Sequence, residues 1–317
     1  MSRIVVAWFF AVACCLCMAQ DFPSKPIRIV VPWPPGGNVD ITARTVQAAL
    51  GEALGQQVIV DNRPGASGLI GSGAVAKSPA DGYTLLLGST GTITIAPAVH
   101  KNVAYDPIRD FTAVGGIQVT PMVVTAALKT PVQSFADLAA LAKTRSVSMA
   151  TPGAATTNHL ALELLMRQAN LQFLHVPYKG AGPAITDLLG GQVDAMIDQL
   201  SASIGHIREG RFKALAVTSK TRSAQLPNVP TLHELGVKDF DVGTFTGIFG
   251  PAGMPAPVVA KLHAALRKAL MVESVRERYR SMGVEVMDMR QEEFAAYVKA
   301  DFEKWRVVAR ERNIVVE

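Results

Sequence analysis

The chain has 317 residues, 49% hydrophobic and 18% charged, with 26 glycines and 19 prolines: the composition of a folded protein long enough for two domains, each burying a core. Its formal charge of +5 is spread over 31 basic and 26 acidic residues without a long basic run. That excludes a nucleic-acid binder and leaves a mild preference for anionic small molecules.

The N-terminus reads as a leader. Arg3 is followed by an apolar run over 4–18 and then by Ala19 and Gln20, the pattern of a secretory signal peptide covering 1–19 with cleavage after Ala19. The run falls short of the ~20 apolar residues of a spanning helix. Ala11, Val12 and Ala13 before Cys14 form a weak lipid-attachment pattern, weak because the apolar run continues past the cysteine. Cleavage would remove Arg3, lowering the formal charge from +5 to +4, and would remove all three cysteines, Cys14, Cys15 and Cys17. The mature chain would then have no disulfide, thiolate nucleophile or zinc-cysteine site.

The mature chain alternates. Strand patterns over 27–31, 58–60 and 83–87 are separated by helical patterns over 39–54 and 67–76, the arrangement of parallel βαβ units. In the first helix Val39, Ala43, Val46, Leu50 and Leu54 share one face, Asn38 is the natural N-cap, and Gly55 stands where a C-terminal cap belongs. A second block follows Pro121: strand 122–125, helix 135–142, strand 147–151, helix 159–168, strand 173–176, helix 183–189, and strands 193–197 and 214–218. After Gln225 the turn-rich stretches 227–230 and 250–257 lead into helical patterns over 258–281 and 292–308. These expectations divide the chain into a discontinuous first domain, 20–120 with 220–317, and a second domain, 121–219.

The candidate site follows from where the polar, glycine-containing loops fall. Trp33 to Asn38 follows the first strand, Gly88 to Thr92 the third, and Pro152 to Asn158 the strand ending at Thr151; the strand at 193–197 ends in Asp198. All lie at carboxyl ends of strands, the ligand edge of an open α/β sheet. The loops lead to helix starts, which favour an anion without any lysine or arginine. Pro34 and Pro35 stiffen the first approach, and Gly36 and Gly37 let a ligand oxygen reach the backbone. The candidate ligand residues are therefore Trp33, Gly36, Gly37, Asn38, Asp40, Ser89, Thr90, Thr151, Thr156, Thr157 and Asp198, around a small carboxylate. Asp40 would repel that carboxylate unless it points away or meets a ligand ammonium group. Tyr178 and Lys179 either contact ligand or stabilise the domain edge.

Other motifs carry less. Gly65, Gly68, Gly71 and Gly73 do not have the G-x-G-x-x-G spacing. Ser67 sits in Gly-Ala-Ser-Gly-Leu, one residue short of a nucleophile elbow, and reads as a helix N-cap. The six histidines are scattered without metal-ligand spacing; His159, which opens the helix after Thr156, is the least bland of them. No metal or cofactor is expected.

The same segments carry a resemblance. Residues 31–44, 58–92, 105–112, 175–198 and 214–236, taken in order, are similar to the extracytoplasmic solute receptors of tripartite tricarboxylate transporters, the Bug receptors. The resemblance extends through 250–257 and the C-terminal helices. It implies a type II, Venus-flytrap periplasmic binding protein that performs no chemistry of its own: two doubly wound α/β domains with a ligand cleft between them, a monomer that delivers an organic acid to membrane permease subunits. It also implies that the loop Trp33 to Asp40, Ser89 and Thr90, and a serine-rich loop of the second domain hold the ligand carboxylates, partly through water. That last loop departs from the family pattern, reading Thr151, Pro152, Gly153, Ala154, Ala155, Thr156; Pro152 removes a hydroxyl and a backbone donor. Gln199 stands where asparagine is common and Phe245 where tryptophan is common. Two other classes compete: an exported sensor that presents its closed form to a signalling partner, and an exported α/β enzyme acting on small acids, for which no coherent nucleophile or metal site is present.

Overall fold

The computed structural model describes residues 22–311, 314 and 315, so the leader expected over 1–19 lies outside the described residues. The strands are β1 Ile27–Val31, β2 Val58–Asn62, β3 Thr84–Ser89, β4 Phe111–Ala127, β5 Ser148–Thr151, β6 Leu174–Pro177, β7 Ala195–Gln199, β8 Phe212–Val217, β9 Gly243–Pro251 and β10 Glu285–Val286. The helices are α1 Asn38–Leu54, α2 Leu69–Ala76, α3 Ala96–Val99, α4 Phe135–Ala142, α5 Thr157–Gln168, α6 Ala181–Gly190, α7 Leu200–Arg208, α8 Ala256–Leu270, α9 Glu273–Ser281 and α10 Gln291–Glu311, and a π-helical turn, Thr90–Ile95, precedes α3.

The strands form two lobes in the order β2-β1-β3-β9-β4 and β4-β7-β5-β6, with β4 common to both. Within each lobe the βαβ strands run parallel: β1 beside β2 and β3, and β5 beside β6 and β7. The alternating patterns over 27–89 and 147–199 therefore fold as their periodicity dictates. What the patterns do not convey is the antiparallel centre. The 122–125 expectation is the far end of a 17-residue strand whose first part, to Pro121, pairs with β9. From Met122 onward it pairs with β7 and β8. Proline supplies no backbone donor, and the strand changes partners at that residue.

Two further expectations shift. The long helix expected over 258–281 is broken at Met271 and Val272 into α8 and α9, and both of these apolar side chains are exposed at the break, outside the buried stripe on either side. Gly37 rather than Asn38 occupies the N-cap of α1, in extended conformation, so Asn38 is the first helical residue and its side chain is free for other work.

The core of the first lobe gathers Ile27, Ile29 and Val31 of β1, Leu85 and Leu87 of β3 and the α1 face Ala43, Val46 and Leu50. The second gathers Met122 and Val124 of β4, Met149 of β5, Leu160 and Leu165 of α5 and Ile197 of β7. α10 spans both: Phe294 and Val298 pack with the first-lobe residues Phe245 and Phe249, whereas Trp305 and Ala309 join the second-lobe core.

Candidate functional site

At the junction of the lobes lies a chamber of about 50 Å³, lined by Trp33, Pro34, Gly37, Asn38, Val39, Ser89, Gly91, Pro152, Thr156, Thr157, Asn158, Gly180, Ala181, Gln199 and Thr244. None of these side chains carries a charge. Instead the lining is made of helix starts. α1 begins at Asn38 after Gly37, α5 at Thr157 after Thr156, α6 at Ala181 after Gly180, and α7 at Leu200 after Gln199. At three of the four, Gly37, Gly180 and Gln199, the N-cap residue makes no side-chain cap hydrogen bond. Three helix starts without a side-chain cap and the positive ends of four helix dipoles thus meet in one uncharged chamber.

Asn38 is the best-defined polar group there. It is 4% exposed, and its Oδ1 accepts from Ser201 Oγ at 2.6 Å, Thr120 Oγ1 at 3.0 Å and Gln118 Nε2 at 3.3 Å. The carbonyl end is saturated, while the Nδ2 donor, buried, has no partner among the described residues. Trp33 Nε1 is a second buried donor without one. Buried donors in native proteins find acceptors almost without exception, so two in one lining ask for an acceptor from outside the protein. On the opposite wall Gln199 donates from Nε2 to Asn158 Oδ1 at 2.8 Å and to Thr244 Oγ1 at 3.2 Å, and Asn158 donates to the Ile197 carbonyl at 3.1 Å.

Of the residues expected to hold ligand, Trp33, Gly37, Asn38, Ser89, Thr156 and Thr157 come together in this lining; Gly36, Asp40, Thr90, Thr151 and Asp198 do not. Gly36, at φ +84°, donates its N–H to Asp40 Oδ2 at 2.9 Å. Asp40 is turned from the chamber and takes further hydrogen bonds from Arg44 Nε and Asn62 Nδ2, each at 3.0 Å. Burial opposes its ionisation, but these three donors outweigh burial and hold its carboxyl below the usual range. Thr90 Oγ1 accepts from the Phe245 N–H at 2.9 Å. Thr151 Oγ1 is bonded to His175 Nε2 at 2.7 Å. Asp198 is fully buried behind α7, where burial pushes its carboxyl up to about 7 and Ser203 Oγ donates to it at 3.2 Å. These five lie outside the lining and are committed to other protein groups.

Sequence reasoning missed Asn158, Gly180, Ala181 and Thr244 as individual contributors. Gly180 obeys the rule that found Gly37, a glycine between a strand end and a helix start. Thr244 arrives on β9, for which the sequence offered no strand pattern. Ser67 is not the helix cap expected of it: it lies in a left-handed turn at φ +53°, Gly68 precedes α2, and its hydroxyl donates to the Ala154 carbonyl of the other lobe at 2.8 Å.

Residues 42–314 match the family model described as tripartite tricarboxylate transporter family receptor. The chain belongs to this family. The receptor is 34% identical over 296 residues to protein BugT of Bordetella pertussis, covering 92% of this chain and 91% of that one. Its fold superposes on the periplasmic binding protein BugD with TM-score 0.89 at 35% identity, covering 93% of this chain and all of BugD. Two structures from Rhodopseudomonas palustris are also similar. Rpa4515 with adipate has TM-score 0.88 at 34% identity, with coverage of 92% and 98%; MatC with bound malate has TM-score 0.85 at 34% identity, with coverage of 90% and 99%. The receptor is thus a periplasmic binding protein of the two-domain flytrap type, and its relatives are solute-binding proteins.

Proposed function

We propose that this protein captures a small organic acid in the cleft between its lobes and delivers it to the membrane subunits of a tripartite tricarboxylate-type transporter, working in the periplasm as a monomer. The carrying observation is the pair of buried donors, Trp33 Nε1 and Asn38 Nδ2, in an uncharged chamber where four helices begin. A carboxylate answers both features: it accepts several hydrogen bonds at once and is stabilised at helix N-termini. The proposed contacts are Trp33, Gly37, Asn38, Ser89, Thr156 and Thr157, with Gln199 and Thr244 completing the wall. Gly36, Asp40, Thr90, Thr151 and Asp198 serve behind it. The carboxylates bound by MatC and Rpa4515 support the same class of ligand here.

The lobes then divide at Pro121, a proposal supported by the change of β4 partners there; the return expected at 220 is better set after Val242, because Leu232, Val237, Phe240 and Val242 join the second-lobe core. Calorimetry on the purified mature protein against carboxylates, amino acids and uncharged analogues tests the reading. A carboxylate at a hundredfold excess over its Kd is expected to add about 2.7 kcal/mol of stability, whereas the amide or ester of the same acid is expected to add none. Equal binding of acid and amide would overturn the carboxylate assignment.

A further inference from the structure

Ser89 and Gly91 of the chamber lining belong to an uncommon piece of backbone. After β3 the chain makes the π-helical turn Thr90–Ile95, closed by the Ala96 N–H on the Gly91 carbonyl, and all six residues are buried. Such turns are rare and occur mostly at functional sites. This one is tied along its length. The Phe245 N–H donates to Thr90 Oγ1 at 2.9 Å, the Ser89 N–H donates to Thr92 Oγ1 at 3.1 Å, and the Tyr105 hydroxyl donates to the Thr92 carbonyl.

The last tie, at Thr94, comes from α10. Thr94 Oγ1 stands 2.9 Å from the Thr90 carbonyl oxygen and 2.7 Å from Asp301 Oδ2. A hydroxyl has one proton to donate, so the two acceptors compete for it. When Asp301 is ionised, the carboxylate takes that proton in a charge-assisted bond. When Asp301 is protonated, its own O–H donates to Thr94 Oγ1, and Thr94 gives its proton to the Thr90 carbonyl. The two arrangements differ by one proton on Asp301 and by what the π-helical turn receives.

Asp301 also stands where α10 passes between the lobes, after Val298 of the first-lobe packing and before Trp305 of the second-lobe core. Burial raises its carboxyl, opposed by the Thr94 hydroxyl and the Lys304 ammonium. Few ionisable groups surround it. Lys304 and Tyr297 share its helix, and Asp241, before β9, acts with it on the Tyr297 hydroxyl. The π-helical turn, α3, β4 and β9 contain no titratable side chain.

We infer that Asp301 is a positioning residue of the chamber: through Thr94 it sets the π-helical turn, and with it Ser89 and Gly91 of the lining, so that the wall follows the placement of α10 across the two lobes. This rests on the receptor reading in one respect, that the chamber is where ligand is held.

The first test needs no ligand. Trp33 Cζ2 lies 3.5 Å from where a Cβ on Gly91 would stand, so the fluorine resonance of 5-fluorotryptophan at Trp33, told from that at Trp305 by Trp33→Phe, reports on the turn. Between about pH 8 and about pH 4 the wild-type resonance is expected to show a step that Asp301→Asn lacks. The variant is expected to keep the position of the protonated wild type throughout, because its amide also donates to Thr94. The second test is calorimetry with adipate and malate as probes. Asp301→Ala and Thr94→Val are each expected to weaken binding about tenfold, and the double variant also about tenfold rather than about a hundredfold, since both remove one tie. Thr94→Ser and Asp301→Asn, which keep the hydroxyl and its partner, are expected to stay within about threefold of the wild type. Identical Trp33 profiles in wild type and Asp301→Asn, or additive losses in a double variant that still unfolds cooperatively, would overturn the positioning role. If the wild type binds neither acid, that counts against the receptor reading, and the Trp33 profile still decides the role of Asp301.

Discussion

At Asn38 the protein fixes a side chain and leaves one of its donors over. Three donors hold its carbonyl oxygen, so its amide nitrogen has one direction left to face, and that nitrogen has no partner among the described residues. Asn38→Asp keeps the shape and keeps an acceptor for the three donors, but replaces the free donor with an anion's oxygen. Ligand affinity is expected to drop by about 100-fold or more, since a hydrogen bond to a charged group worth about 1.5–3 kcal/mol is lost and a repulsion is added. Calorimetry reads the affinity and thermal unfolding reads the fold; retained binding would mean that the carboxylate lies elsewhere. Single residues were the least legible part of the sequence. The spacing of Gly37 and Asn38 before an apolar helical stripe marks a loop that the structure brings into the chamber lining. Nothing in that spacing told Asn38, whose side chain serves the chamber, from Asp40, whose carboxylate is committed to Arg44, Asn62 and the Gly36 N–H. Ser67 was misread for a related reason: its partner, the Ala154 carbonyl, is 87 positions away, and local pattern cannot register a contact across a cleft.

At the scale of elements, legibility followed periodicity. α1, α4, α5 and α6 show an apolar face and a glycine or hydroxyl residue at the start, and they fold where those signals stand. β9 is buried along almost its whole length and the first half of β4 through the run Val114 to Gln118, and both carry glycines. That removes the alternation by which a half-buried strand announces itself.

The loop before α5 carries a dependence on pH. Ala155, at φ +55°, donates its N–H to His159 Nδ1 at 3.1 Å, and Thr151 Oγ1 meets His175 Nε2 at 2.7 Å. The two rings stack at 4.1 Å, and Glu163 lies 3.5 Å from His159 Nε2. Burial, and then the neighbouring His159, lower His175 to about 4, against a smaller opposing pull from Glu163. The unfolded chain takes up this proton near 6.5, the folded chain only near 4. Stability from this site is therefore full above about pH 6.5 and is lost as pH falls through the interval down to about 4. The melting temperature of the wild type is expected to fall over that interval, and that of His175→Gln, which can still donate to Thr151, to fall less. Parallel curves would remove His175 as the cause.

On the proposed receptor reading the lobes open and close to exchange ligand, and β4 and β9 run together between them, with the pairs Pro121↔Gly243 and Thr120↔Thr244 at the end of that ladder. Thr218 ties this crossing together, receiving the Met122 N–H at 2.8 Å and donating to the Val242 carbonyl at 2.6 Å. Gly243 is small for a physical reason: a Cβ there would stand 2.9 Å from Val119 Cγ1 and 3.2 Å from the Thr120 carbonyl oxygen. Gly243→Val must therefore push β9 away from β4, and overpacking of this kind costs about 1–3 kcal/mol. Thr244 is the next residue, a lining residue bonded to Gln199 of the opposite wall, so the displacement falls on the closed form. Binding is expected to weaken about tenfold in a protein that still unfolds cooperatively. Gly205 is the control. It lies inside α7, where an added Cβ meets nothing within 4 Å, so Gly205→Ala is expected to stabilise by about 0.5–1 kcal/mol and leave affinity alone. If Gly243→Val binds as tightly as Gly205→Ala, the closure does not pass through this crossing, and the movement must be sought along α10, which packs against both lobes.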